Sequence, residues 1–397
     1  MLFNIEDSNV NSLFYKALKD HKLHGMKQFI RGTTRHEITN YMMRLTEPKQ
    51  NMLFVPFRYM NPPAIIAETL WVLAGRYDLW FLGYYLKNSY KYSDDGGDTW
   101  RGAYSKRLRN YSAHDDEGKT IIIDQIDRAI TYLKKDLQTT RSLLVIPDGS
   151  DYHLDEEGNE KKDEPCTIFV QFIHRDGGLC CSVNMRSNDL VLGCFNVNVF
   201  EWTFLQALIA NELSTGIGCY TVSATSMHVY ADWMKRAPIL LDNEPPVDIY
   251  SIVPVKQLTL TWSILKYEVQ RLLQVEQNLR IIDANRFYDY VQSVQTEFHE
   301  DIYDALLVMI VTLATKQGTH GALCELLPKI KNDIWLIACL EYMVRRFGIS
   351  FHSLIHKIFN ETLGERYSSL SVNYLHDYIM HSTGEQAALD RLTKIRR

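Results

Sequence analysis

Residues 165–202 hold the side-chain types that nucleophilic chemistry on a polar ligand requires. Cys166 follows Pro165 and opens the run CTIFVQFIH, which is apolar, β-branched and aromatic and reads as a strand. A cysteine at the head of a strand is ordinarily a small core residue. Here its company matters. The segment GLCCSVNMRS returns after the turn-former RDGG as the second arm of a hairpin, and that pairing would bring Arg186 or its neighbours to Cys166. A guanidinium beside a thiol favours the thiolate, the nucleophilic form. Immediately downstream, MRSNDLVLGCFNVNVFEW sets an Arg, a Ser, an Asp and several Asn against an apolar stretch. If buried, each of these polar groups needs a partner. They either sit on an exposed edge or converge on a polar ligand.

Glu68 is a second candidate. It lies in the apolar middle of NPPAIIAETLWVLAGR, a helix with Asn61 as cap, Pro62 in its first turn and Gly75 at its stop. A carboxylate in that position either faces water or serves chemistry in a dry site. Other signals are weak. DDGGDTW has neither the Walker pattern nor calcium-loop spacing and reads as a turn. DIYDALL and the other scattered acids form no paired-carboxylate constellation. The seven cysteines show no CxxC or Cys/His spacing for zinc, so no metal is expected.

The elements that must position these residues follow from periodicity. TIIIDQIDRAITYLKKDL gives a short strand and then an amphipathic helix, and RSLLVIP gives a strand. NVFEWTFLQALIANELSTGIG is a long apolar helix ending near Gly216. CYTVSATSMHVYADW is a strand running into a loop. This order is α+β rather than a repeating βαβ pattern. Residues 148–165, acidic and unpatterned, read as an exposed insertion. Four prolines between 238 and 254 mark a boundary, giving a first domain, 1–250, and a helical C-terminal region, 251–397. In that region Leu258, Trp262, Leu265, Val269 and Leu272 keep the spacing of a helical packing seam. IWLIACLEYMVRRFG is a helix with Asp333 as cap and Gly348 as stop.

Composition narrows the class. The chain has 397 residues, 46% hydrophobic and 23% charged, with ample material for a large core, and its formal net charge is −5. Nucleic-acid readers usually carry a basic stripe, and none is visible, so direct nucleic-acid binding is not expected. The longest apolar run, ALLVMIVTLA, is too short to span a bilayer and reads as a core helix. An odd number of unpatterned cysteines and the lack of a signal-peptide pattern suit a reduced cytoplasm.

Taken in order, PC at 165–166, QF at 171–172, RSNDLVLG at 186–193, a helix opening at Asn198 and HVY at 228–230 resemble the landmarks of the thymidylate synthase family. Those landmarks are a Pro-Cys nucleophile, QF, QRSxDxxLG, PFN and HxY. ETLWVLAG is similar to the family's ELLWFLxG helix, DQIDRAITYLKKDLQTTRSLLV to its DQI…SRR segment, and GAYSKRLR to its VYGxxWR segment. The resemblance covers residues 26–235.

It implies a thymidylate synthase-like mixed sheet with flanking helices. It also implies that Cys166 adds to C6 of a pyrimidine nucleotide. Arg186 and Ser187 would hold the 5′-phosphate together with Arg31, for which Arg35 is the alternative. Arg141 would come from the partner subunit, hence a homodimer. His228 and Tyr230 would bind the sugar hydroxyl, and Asp189 and Trp71 the folate. Glu68 and Tyr104 would organise water and proton transfers. The one-carbon donor would be 5,10-methylenetetrahydrofolate. Asn198 would read the base, offering an acceptor to N3–H and a donor to O4, the uracil pattern. An Asp there would instead accept from the amine of cytosine. One extra residue after LG leaves Asn196 as the alternative. Both are Asn, so the substrate implied is dUMP.

Departures from the family pattern bear on the product. Thr167 stands where the family has His after the nucleophile, Met185 replaces the Gln before the arginine, and Ser142 replaces one arginine of the SRR pair. The synthases end in a short apolar tail close to IAV that closes over the site, whereas this chain finishes ALDRLTKIRR. A methylating enzyme must exclude water and a hydroxymethylase admits it. The resemblance with its departures therefore implies a deoxyuridylate hydroxymethylase of the bacteriophage kind. Methylation to dTMP, a cytidylate substrate and a catalytically silent nucleotide-binding protein are the alternatives.

Overall fold

The computed structural model describes residues 3–154, 158, 160–347 and 357–394, the side chains of 347 and 383–394 excepted. Gly348 and the side chains of the closing ALDRLTKIRR lie outside the described residues. The chain forms two compact units. The first comprises 1–51, 67–234 and 259–271, and the second 52–66, 235–258 and 272–397. The division expected at residue 250 is therefore not a single cut, because each unit takes segments from both sides of it.

In chain order the described elements begin with β1 (Phe3–Asp7), α1 (Val10–His24), β2 (Met26–Ile30), β3 (Thr33–Leu45) and α2 (Pro62–Leu73). Next come α3 (Leu79–Leu82), α4 (Tyr104–Arg109), β4 (Tyr111–His114), β5 (Thr120–Ile123), α5 (Gln125–Lys135) and β6 (Leu143–Val145). Then follow β7 (Thr167–Arg175), β8 (Gly178–Met185), β9 (Asn188–Asp189), a π-helix (Leu190–Asn198), α6 (Val199–Glu212), β10 (Gly216–Tyr230) and α7 (Ala231–Asp242). The helices α8 (Trp262–Leu279), α9 (Phe287–Ser293), α10 (Glu300–Gln317), α11 (His320–Leu326), α12 (Asp333–Phe347) and Ser369–Lys394 are the main elements of the rest of the described chain.

The first unit is built on one mixed sheet in the order β1-β3-β10-β8-β7-β6, with β2 on β3 and β9 on β10. β10 is parallel to β8 and antiparallel to β3. This bears out the α+β expectation and the mixed sheet. The hairpin from 167 to 185 forms as its sequence predicts. Asp176 and Gly177 take φ of +51° and +79°, the left-handed pair that a two-residue turn needs, and Arg175 pairs with Gly178. Along β8 the side chains alternate: Leu179, Cys181, Val183 and Met185 are buried and the residues between them half-buried. α6 is buried on every side from Val199 through Ala210 and packs on β8 and β10.

α2 has the ends its sequence predicts: the Ala64 N–H donates to Asn61 Oδ1, and Gly75 sits at φ +78°. α8 contributes Trp262 to the first unit. Its indole N–H donates to Asp127 at 2.7 Å, and Arg109 lies over its ring at 4.8 Å.

Three expectations change. The chain after Tyr230 is a helix, α7, and Pro238 lies inside it rather than in a linker. The segment 148–165 is not a plain exposed insertion: Asp151 is buried in an ion pair with Arg107, and Asp163 accepts from the Trp100 indole at 2.6 Å. In the second unit, α12 is capped by Asn332, which accepts from the Trp335 N–H. Asp333 instead binds Arg366 and the Tyr367 hydroxyl. α10, which carries ALLVMIVTLA, is a core helix, and no helix among the described residues is long and apolar enough to cross a membrane.

Candidate active site

The hairpin positions the candidate nucleophile. Cys166 precedes β7, and its carbonyl accepts the backbone N–H of Arg186, the residue after β8, at 2.9 Å. The Arg186 guanidinium is oriented by two carbonyls, Pro165 through Nε and Glu164 through Nη2, each at 2.9 Å. The sequence expectation that this cation would win over burial is not met in the resting site. Burial pushes the half-buried Cys166 thiol up, Arg186, Arg31 and Arg35 pull it down, Asp163 opposes them, and the net shift is upward. The resting group is the thiol.

Tyr104 opens α4. Its hydroxyl accepts the N–H of Thr167 at 3.3 Å, and its ring stacks on Trp202 of α6 at 5.7 Å. Burial, then the neighbouring Cys166, raise its pKa. Glu68 keeps some solvent-facing surface, yet the protein packed around it raises its carboxyl to about 7, with burial as the only cause. On the adjoining wall stands Glu201, which sequence reading missed. It is buried in α6, its Oε1 has no hydrogen-bond partner, and burial followed by the charge of Glu68 raises its pKa well above the carboxylate range. A paired carboxylate is therefore present, although none stood out in the sequence.

Of the phosphate candidates, Arg186, Arg31 and Arg35 all act on the Cys166 thiol. Ser187 is half-buried. Arg31 sits at φ +50° in the β2–β3 turn and forms an exposed ion pair with Glu160 at 2.6 Å. Arg35 pairs with Tyr230 across the β3–β10 ladder, and its Nε is buried without a partner. Arg141 stands exposed before β6, and none of its ion pairs appears among the described residues.

His228, on β10, is buried, and neither ring nitrogen has a partner. Burial, then Arg35 and His21, lower its pKa to about 4. Tyr230 meets its ring edge-on at 5.2 Å. Asp189 caps the π-helix, accepting from Val191 and Leu192.

The extra residue after LG falls in that π-helix. Its i→i+5 bonds absorb an added residue without breaking the helix, a device frequent at functional sites. Asn198 ends it and is buried, whereas Asn196 is half-buried. Asn188 and Asn198 converge over Gly193: a Cβ there would stand 2.9 Å from Asn188 Oδ1 and 3.3 Å from Asn198 Oδ1, so a side chain would displace these amides. Asn188 was not singled out in the sequence. Trp71 departs from expectation. It is 1% exposed, and its indole N–H is satisfied by the Asp78 carbonyl at 3.0 Å, which makes it a core residue. A less enclosed aromatic pair is Tyr92 stacked on Trp100, at 5.0 Å and 11°.

Cys166 thus stands at the mouth of a hairpin, joined to Arg186 and followed by the π-helix that leads into α6. The family model for thymidylate synthase matches residues 14–272, and the chain belongs to that family. Among its relatives, the deoxyuridylate hydroxymethyltransferase of Bacillus phage SP01 is 34% identical over 80% of this chain and 87% of the relative. That of Delftia phage PhiW-14 is 31% identical over 61% and 66%. The thymidylate synthase of Vesicomyosocius okutanii is 26% identical over 58% and 83%.

Proposed function

We propose that the protein is a deoxyuridylate hydroxymethyltransferase, which transfers a one-carbon unit to C5 of dUMP and hydrates it to give 5-hydroxymethyl-dUMP. The observation that carries this reading is the joining of Cys166 and Arg186 by the β7–β8 hairpin, with Tyr104 against the same strand, in a chain similar to phage enzymes of that name.

Cys166 bonds to C6 and makes C5 nucleophilic. Arg186, Ser187 and Arg31 or Arg35 hold the 5′-phosphate, for which guanidinium forks suit a dianion. Arg141, exposed on its own chain, serves the partner's site in a homodimer. His228 is neutral at working pH, since its pKa is lowered to about 4, and so offers one donor and one acceptor to the sugar hydroxyl beside Tyr230. The buried Asn198 reads the uracil edge. The donor, 5,10-methylenetetrahydrofolate, supplies the carbon at the oxidation level of formaldehyde. Asp189 would hold its pterin, and the stacked Tyr92–Trp100 pair offers a better platform for it than the enclosed Trp71. Glu68 moves protons at neutral pH, where its raised pKa lets it both take and give them. The reaction is assigned to the cytoplasm.

The test is product mass spectrometry after incubation with methylenetetrahydrofolate and dUMP, UMP and dCMP in competition. Hydroxymethyl-dUMP is expected, and Cys166→Ala should abolish it along with tritium release from 5-tritiated dUMP. Formation of dTMP with dihydrofolate would overturn the reading in favour of methylation.

A further inference from the structure

A carboxyl inside an apolar helix is expensive to bury, and Glu201 is such a group. It is 2% exposed, in a helix buried on every side, and its Oε1 has no hydrogen-bond partner. The titratable groups that face it are Glu68 from α2, Tyr104 from α4 and Tyr220 from β10. The adjacent Trp202 stacks on Tyr104, whose hydroxyl binds the N–H of the residue after the nucleophile. Tyr220, which faces it, has a buried and unpartnered Oη, and so do the two residues that meet Tyr104, through Trp202 Nε1 and Thr167 Oγ1. Buried polar groups are nearly always satisfied, by protein or by water. An orphaned buried carboxyl oxygen, with further orphaned polar atoms on Tyr220 and on the residues that contact Tyr104, points to a site that handles a small polar molecule.

We propose that Glu201 is a further catalytic residue: its carboxyl holds the water that adds to the one-carbon unit, and Glu68 takes that water's proton. The inference rests on the hydroxymethylation reading above. Two adjacent carboxyls in a dry site cannot both ionise. Glu68 titrates at about 7 through burial alone, while Glu201 is raised further by the charge of Glu68, so Glu201 keeps its proton and Glu68 is the base.

The step balances as follows. After the C5 proton has left, the Cys166-bound pyrimidine carries an exocyclic methylene. The water oxygen bonds to that carbon, and one water proton passes to Glu68. The pair of the exocyclic double bond moves into the ring and out to O4. Its return forms the C5–C6 double bond and expels the Cys166 thiolate, which recovers a proton from Glu68.

The experiment is a single turnover with full-length enzyme in excess, comparing tritium release from 5-tritiated dUMP with formation of hydroxymethyl-dUMP. In Glu201→Leu, product formation is expected to fall at least about tenfold relative to tritium release, with the Cys166 adduct visible by intact mass. Glu201→Gln keeps the shape and a donor, and should lag several-fold less. If the leucine variant does not fold, Glu201→Ala carries the same expectation. Product keeping pace with tritium release in the leucine or alanine variant would overturn the proposal, as would a glutamine variant that lags as much as leucine. Wild-type enzyme yielding dTMP would instead overturn the hydroxymethylation reading, before any Glu201 variant is made.

Discussion

Glu68 makes the fold less stable whenever it is ionised. Its carboxyl titrates at about 7 in the fold and at about 4.3 in an unfolded chain. The folded state therefore binds the proton more tightly. Below pH 4 the residue costs nothing, and the cost grows as pH rises towards 7 and is constant above it. Glu68→Gln, which stays neutral, should melt about 3–6 °C above the wild type at pH 8, with the difference vanishing near pH 4, as scanning calorimetry can show. The same variant should lose about a hundredfold or more in turnover. The wild-type rate should rise with pH through about 7, and that limb should be absent from the variant. On the proposed reading, Glu68 costs stability and supplies chemistry, the trade-off expected of active sites.

At the level of elements, the π-helix distinguishes the two asparagines, and on the proposed reading Asn198 is the one that meets the base. The π-helix carries Asn198 inward, buried at the mouth of α6, and leaves Asn196 half-buried. Asn198→Asp should therefore gain dCMP turnover and lose dUMP turnover, measured by product mass, while Asn196→Asp should leave the preference for dUMP in place. Local rules made much of this legible. The turn at Asp176–Gly177 and the caps of α2 depend on neighbours in sequence, so they could be read directly. The family landmarks named Cys166, Arg186 and Asn198 for the same reason: each belongs to a short motif. What stayed hidden depends on packing between distant segments. Glu68 and Glu201 are brought together by α2 and α6, and no spacing announces it. Trp71 looked like a ligand contact because of its motif, yet the Asp78 carbonyl and the core enclose it.

At the scale of the molecule, the proline-rich stretch suggested a place to divide the chain, but Pro238 lies within α7 and residues 259–271 belong to the first unit. Trp262, 2% exposed, fills the core there and donates to Asp127. Removing everything after residue 250 should therefore yield insoluble or molten protein rather than an active fragment. Near-ultraviolet circular dichroism and dUMP turnover of the truncated chain would check this. β10 carries a further consequence. It is the partner of both β3 and β8, and β3 ends at Leu45 while β10 begins at Gly216. On a ribosome making roughly 5–20 residues per second, β3 waits on the order of ten to thirty seconds for its neighbour. During that interval a bare strand edge stands open to any other nascent chain, so the yield of this enzyme in a cell should depend on chaperones that shelter its first fifty residues while the centre of the sheet is still being synthesised.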